Sequence, residues 1–255
     1  EKYTAGGTPM RREDHIEEKL LDANIMGQAA QILQNNVRGK LRTKGEKVRP
    51  FITISREFGC EGTDLAINLT STLNDRLNLP EEERWMYYDK ALLDKMAEDH
   101  NLAKEVILAA EEHKRGEIEQ YLGKVLVDKP DDYEVFQYLV GAMTTLAKRG
   151  NVVLVGRGAP IITQGFNQGI HVRVYAGEAF KVRRIKECMC DLSDDPDEIA
   201  AFIEKEGKKR DTFVERFGLP SSASPKFYHL MLNNDKFTVP EMTEAIICFL
   251  GIRGL

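Results

Sequence analysis

Gly59, Gly62, the hydroxyl of Thr63 and the carboxylate of Asp64 meet at the junction of two unlike segments. Before them runs FITI, residues 51 to 54, β-branched and aromatic. After them DLAINLTSTLNDRL sets Leu65, Leu69, Leu73 and Leu77 at helical spacing. A strand, a glycine loop and a helix in that order can hold a phosphate, because the first N–H groups of a helix have no partner within it and point outward. In the loop GxxxxGK[ST] those amides cradle phosphates, a lysine reaches the terminal ones and the hydroxyl serves magnesium. Placing Thr63 at the hydroxyl position puts Gly62 at the lysine position and Glu61 at the preceding glycine. A carboxylate about 4 Å from a phosphate would repel it by on the order of 1 to 4 kcal/mol. Glu61 must therefore turn outward, tolerate that repulsion, or itself accept the loop N–H groups. Phe58 and Cys60 complete the loop, and Arg56 is its nearest cation. The alternative readings are a tight strand-to-helix turn for the two glycines, an ordinary early-helix threonine for Thr63, and a favourable interaction with the helix dipole for Asp64.

Other candidates follow other apolar runs. Arg157 stands between Gly156 and Gly158 after NVVLV, where its planar fork suits a phosphate bidentately or an internal salt bridge. Asp89 ends WMYYD, placed to orient hydroxyl groups or to cap the next helix. Arg183, Arg184, Arg210 and Arg216 lie in a charge-rich helical stretch, where most charges are solvated but where arginines could stabilise a transferring phosphoryl group. Asn233, Asn234 and Asp235 follow FYHLML. Cys188 and Cys190 lack neighbouring partners at zinc-ligand spacing and read as thiols.

Positioning these residues requires several strands separated by helices. The apolar runs FITIS, WMYYD, NVVLV, IHVRVYA and FYHLMLNND alternate with helical periodicity, which predicts an α/β fold: a parallel sheet of about five strands covered on both faces. Ligands of such sheets collect beyond the carboxyl ends of the strands, where the candidates outside the charge-rich helical stretch fall. With 255 residues, 42% hydrophobic and 30% charged, the chain can bury one substantial core. Residues 1–49 form a helical extension ending in the basic link RGKLRTKGEKVRP, and residues 50–255 form the main domain. A net charge of −5 argues against nucleic acid as a partner. No uncharged apolar run approaches the roughly 18 residues that span a bilayer, so no membrane contact is expected. Four scattered cysteines and the lack of a signal-like segment predict a cytoplasmic protein with reduced thiols. Oligomeric state has no signature in the sequence.

The motifs ITISREFG, YYDKALL, VVLVGRGAPII, HVRVYA with KVRRI, and LNNDKFTVPEMTEAI, in this order, resemble the cytidylate kinase-like family, a divergent branch of the P-loop nucleoside monophosphate kinases. The likeness covers about residues 51 to 250. It implies a P-loop three-layer sandwich with a lid at about 178–218, ATP and magnesium as cofactors, and a nucleotide or other small acceptor. That branch reads close to ISRxxGSGGRxIA through the loop, so the missing lysine is a trait of the resemblance, whereas Cys60, Glu61, Gly62 and Thr63 depart from it. The expected acidic lid residue is replaced by Gly207. On this likeness Arg56 and residues 58–64 hold the donor, Thr63 the metal, Asp89 and Arg157 the acceptor, and Arg184 with Arg210 the transition-state charge. The expected activity is phosphoryl transfer from ATP to a nucleoside monophosphate or other small acceptor. The alternative is a nucleotide-binding or regulatory protein that has lost turnover.

Overall fold

The computed structural model describes residues 49–89, 133–189, 192–216 and 219–254. Residues 1–48 of the N-terminal extension lie outside them. Five strands, β1 (Phe51–Arg56), β2 (Met86–Tyr88), β3 (Val152–Val155), β4 (Gly169–Tyr175) and β5 (Leu230–Asn233), form one sheet in the order β2-β3-β1-β4-β5. Every pairing is parallel. The expected fold class is therefore observed. Parallel strands need crossovers that cover both faces, which is why β3 reads VVLV and is buried along its whole length.

Side chains alternate across the sheet. Ile52 and Ile54 of β1, Val153 and Val155 of β3, and Val172 and Val174 of β4 face one layer, where they pack with Leu65, Leu69 and Leu73 of α1 (Gly62–Leu77). Met242, Ile246 and Leu250 of a C-terminal helix, Val239–Ile252, join the same cluster. Burying each such side chain contributes roughly 1.5–3 kcal/mol, so the leucine spacing fixes α1 against the sheet. The other face is met by α2 (Tyr133–Arg149), against β3, and by the short α3 (Ala159–Ile162), against β1. Two further helices follow β4: α4 (Glu178–Cys188) and α5 (Pro196–Arg216), which pack on each other. The C-terminal helix is thus α6. It opens on a capping box between Thr238 and Glu241, with Pro240 in the first turn.

Two expectations on extent are corrected. The helical stretch after β4 breaks at Met189 and restarts at Pro196, whose ring suits a first helical turn. The strand expected over FYHLMLNND is only four residues long, because Pro225–Phe227 forms a single 3-10 turn before it.

Within α5, Gly207 faces open space: a Cβ there would meet nothing within 4 Å. Gly207→Ala is expected to raise folding stability by about 0.5–1 kcal/mol, read as a higher urea midpoint with an unchanged slope. A lowered midpoint would show that the backbone at this position is not helical in solution.

Candidate phosphate-binding site

The chain leaves β1 toward β2 on one side and β4 toward β5 on the other, so a crevice opens at the carboxyl ends of β1 and β4. The loop Glu57–Glu61 fills its rim. Gly59 has φ +87, and a Cβ on it would lie 2.8 Å from Cβ of Lys181 on α4. Only glycine satisfies both conditions. Glu61 precedes the first residue of α1, and its side chain does not cap that helix. Its backbone N–H donates to Asn234 Oδ1 at 2.9 Å, and its carboxylate accepts from Asn234 Nδ2 at 2.8 Å. Arg184 Nε lies 3.8 Å from the other carboxylate oxygen. Of the three readings open in the sequence, Glu61 thus adopts the outward one. The first turn of α1, Gly62, Thr63 and Asp64, carries no side-chain cap. Thr63 is half-buried there and Asp64 is exposed.

Three arginines converge beside this loop. The Arg56 guanidinium, carried by the end of β1, is held down to about 10 by burial first, then by the nearby charges of Arg210 and Arg157, with Asp89 opposing them. Arg210 reaches in from α5. Its guanidinium lies 4.9 Å from the centre of the Phe58 ring, and Nη1 donates to the Arg56 carbonyl at 3.3 Å. Burial also lowers its pKa. Arg157 is the middle of three consecutive left-handed residues, with φ values of 84, 51 and 71 for Gly156, Arg157 and Gly158. For a residue with a Cβ this costs about 1–2 kcal/mol, strain of the kind that gathers at functional sites. Burial, and next the Glu57 charge, push the Cys60 thiol up to about 12, so it stays protonated and is no nucleophile.

Arg184 is placed differently. It pairs with Asp64 as well as Glu61, so two loop carboxylates neutralise it. Arg183 is exposed and stacks on Phe180 at 5.3 Å, and Arg216 is the last residue of α5.

Several contributors escaped the sequence reading. Lys181 lies one turn before Arg184 on α4 and its Nζ donates to Glu57 Oε2 at 3.0 Å. The K-x-x-R spacing was the available signal. Arg173, in the largely apolar β4, donates to the Ser222 carbonyl at 2.8 Å and faces Glu57 at 3.7 Å. A basic residue inside HVRVY was the clue. Asn234 was noted only as a strand-end residue, although it is 3% exposed and holds Glu61 by two hydrogen bonds. Phe58 joins Val182, Ile185, Ile199 and Ile203 in an apolar cluster that fastens the loop to α4 and α5.

The parallel five-stranded sheet, with a glycine loop leading into a helix packed on one of its faces, makes this a P-loop-type α/β protein. The sequence profile of the cytidylate kinase-like family matches residues 51–236, and the chain belongs to that family. Among solved structures, an uncharacterized protein from Eubacterium ventriosum aligns over 80% of this chain and 98% of its own, with 19% identity and a TM-score of 0.57. Shikimate kinases from Bacteroides thetaiotaomicron and Acinetobacter baumannii align with TM-scores of 0.37 and 0.40, at 18% and 13% identity, over 79% and 81% of this chain and 98% and 96% of theirs. No curated protein sequence matches the chain. Among the described residues no helix is long and apolar enough to cross a membrane.

Proposed function

We propose that the protein transfers a phosphoryl group from ATP to a nucleoside monophosphate or another small acceptor. The observation that carries this reading is the gathering of Arg56, Arg157 and Arg210 beside the uncapped start of α1, with Asp89 near them. Half-buried like charges repel, and a polyanion is the ligand that turns that repulsion into binding. Family membership supports the same chemistry.

In this reading Arg56 and the amides of Gly59, Gly62, Thr63 and Asp64 hold the donor phosphates, the Cys60 and Glu61 N–H groups being given to Glu57 and Asn234. Thr63 offers its hydroxyl to magnesium, which neutralises charge on the phosphates. Among the described residues no cluster of His, Cys, Asp or Glu forms a metal cage, and the Thr63 hydroxyl would supply the protein's ligand to a magnesium ion brought with the donor phosphates. Arg157 clamps the acceptor, Asp89 orients its hydroxyls, and α4 with α5 forms a lid that brings Arg210 to the transferring group. A second reading, nucleotide binding without turnover, is favoured by one contact: Arg184 is already engaged by Asp64 and Glu61.

An ATP-consumption screen over nucleosides, nucleotides and small alcohols, with magnesium, tests both. One acceptor is expected to be phosphorylated, and Arg157→Ala is expected to lose at least about thirtyfold in kcat/KM for it while ATP affinity changes less than about threefold. ATP binding with no acceptor consumed would favour the second reading, and no ATP binding would exclude both.

A further inference from the structure

The phosphate-loop motif needs one long cation to reach the terminal phosphates, and in this chain its position is Gly62. Space at that point is already taken. A Cβ on Gly62 would lie 2.8 Å from Cγ of Arg56, 2.9 Å from its Cβ and 3.1 Å from its Cδ. These atoms form the root of the side chain, fixed by β1, and cannot swing aside as a tip could. At its other end Arg56 Nη1 would lie 2.1 Å from a Cβ on Gly156, at the carboxyl end of β3. Arg56 therefore runs along the carboxyl edge of the sheet, past the first residue of α1, and ends beside Arg157. Two glycines clear its path.

Resting on the phosphotransfer reading above, we infer that Arg56 is the functional replacement of the missing loop lysine, delivered from the strand end, and that Gly62 is the reciprocal vacancy that admits it. An arginine with a purely structural role would be matched by carboxylates. Arg56 has two cations, Arg157 and Arg210, and one carboxylate, Asp89, among the charges that act on it. Its planar fork could engage two phosphate oxygens at once, where a lysine engages as a point charge.

The reciprocity gives the test. Affinity for Mg·ATP is measured by titration calorimetry, with thermal melts as the folding control, on the wild type, Arg56→Ala, Gly62→Lys and the double variant Arg56→Ala/Gly62→Lys. Arg56→Ala is expected to weaken binding by about tenfold or more, the loss of a charge-assisted contact. Gly62→Lys alone is expected to weaken binding and lower the melt, because two stems compete for one space. The double variant is expected to bind at least about fivefold tighter than Arg56→Ala, since the lysine then takes the space of Arg56 Cγ and Cδ, while the Cβ at position 56, 2.9 Å from the new Cβ, has to give by a few tenths of an ångström. Arg56→Ala within twofold of wild type, or a folded double variant no tighter than Arg56→Ala, overturns the inference. Should the double variant fail to fold, Arg56→Met decides: it keeps most of the stem and removes the charge, so wild-type affinity overturns the inference and a tenfold loss upholds it. A wild type that binds no Mg·ATP overturns the phosphotransfer reading, and the inference with it.

Discussion

At pH 4 the protein is expected to be about 3 kcal/mol less stable than at pH 7 through His171 alone. His171 is 3% exposed in the middle of β4, opposite Thr53 of β1, and its Nδ1 lies 2.8 Å from the Thr53 hydroxyl. Burial first, then the neighbouring His229 and Arg253, lower its pKa from 6.5 to about 4. His229 stacks on it at 5.2 Å, and its Nδ1 accepts the His171 backbone N–H at 3.0 Å. A proton on His171 would therefore enter an apolar layer beside other cations. The sign follows from linkage: the unfolded chain takes up this proton as pH falls below about 6.5, while the folded chain resists until about 4, so the unfolded state is favoured across that window. The contribution is whole above pH 6.5 and lost as pH falls through the folded value. Urea unfolding at half-unit intervals should show stability declining from pH 6.5 toward 4.5, and His171→Gln should flatten that slope. The lowered carboxylates Glu241 and Glu244 act at lower pH, whereas His229, lowered by burial and then by Arg253, adds to the decline in the same window, so the share of His171 is the part of the slope that His171→Gln removes. A wild-type profile level from pH 7 to 4.5 would show that His171 is hydrated in solution.

That histidine also shows where the sequence stops being legible. The strand IHVRVYA was plain from its β-branched residues, but the pairing of His171 with Thr53 depends on register across 118 positions. The same division holds at the loop. Gly59, Gly62 and the leucines of α1 announced a strand, a turn and a helix because those are local demands of backbone conformation and helical period. Arg157 could be singled out because it stands between two glycines at a strand end, and the structure places it near Arg56 and Arg210. The direction of Glu61 was not, since Asn234, 173 residues away, determines it. Equally hidden was the placement of Arg184 on Asp64, which rests on how α4 lies over the loop. Gly62 was read as an absence. Only the path of Arg56 shows it to be occupied space.

Arg210→Ala is expected to lower kcat by about 10²- to 10³-fold while changing the ATP affinity only a few-fold. The Arg210 guanidinium sits over Phe58, anchored through Nη1 to the Arg56 carbonyl, and burial already depresses its pKa. A cation held in a partly desolvated position exerts a stronger field than one in water, and removing one preorganised donor to developing charge commonly costs about 3–4 kcal/mol in the barrier. Arg184→Ala should behave in the opposite way. Its charge is spent on Asp64 and Glu61, so it supplies little to a transferring phosphoryl group. Its removal would leave Asp64 without the cation that pairs with it and Glu61 held by Asn234 alone, which raises the negative charge around the start of α1. That loss should appear mainly as a higher KM for ATP, with kcat reduced less than about tenfold. Saturation kinetics on the two variants, with the acceptor found in the screen, separates the roles. If Arg184→Ala takes the large loss in kcat and Arg210→Ala the loss in KM, then Arg184 exchanges its carboxylates for the phosphoryl group when the lid closes, and Arg210 serves to anchor the loop.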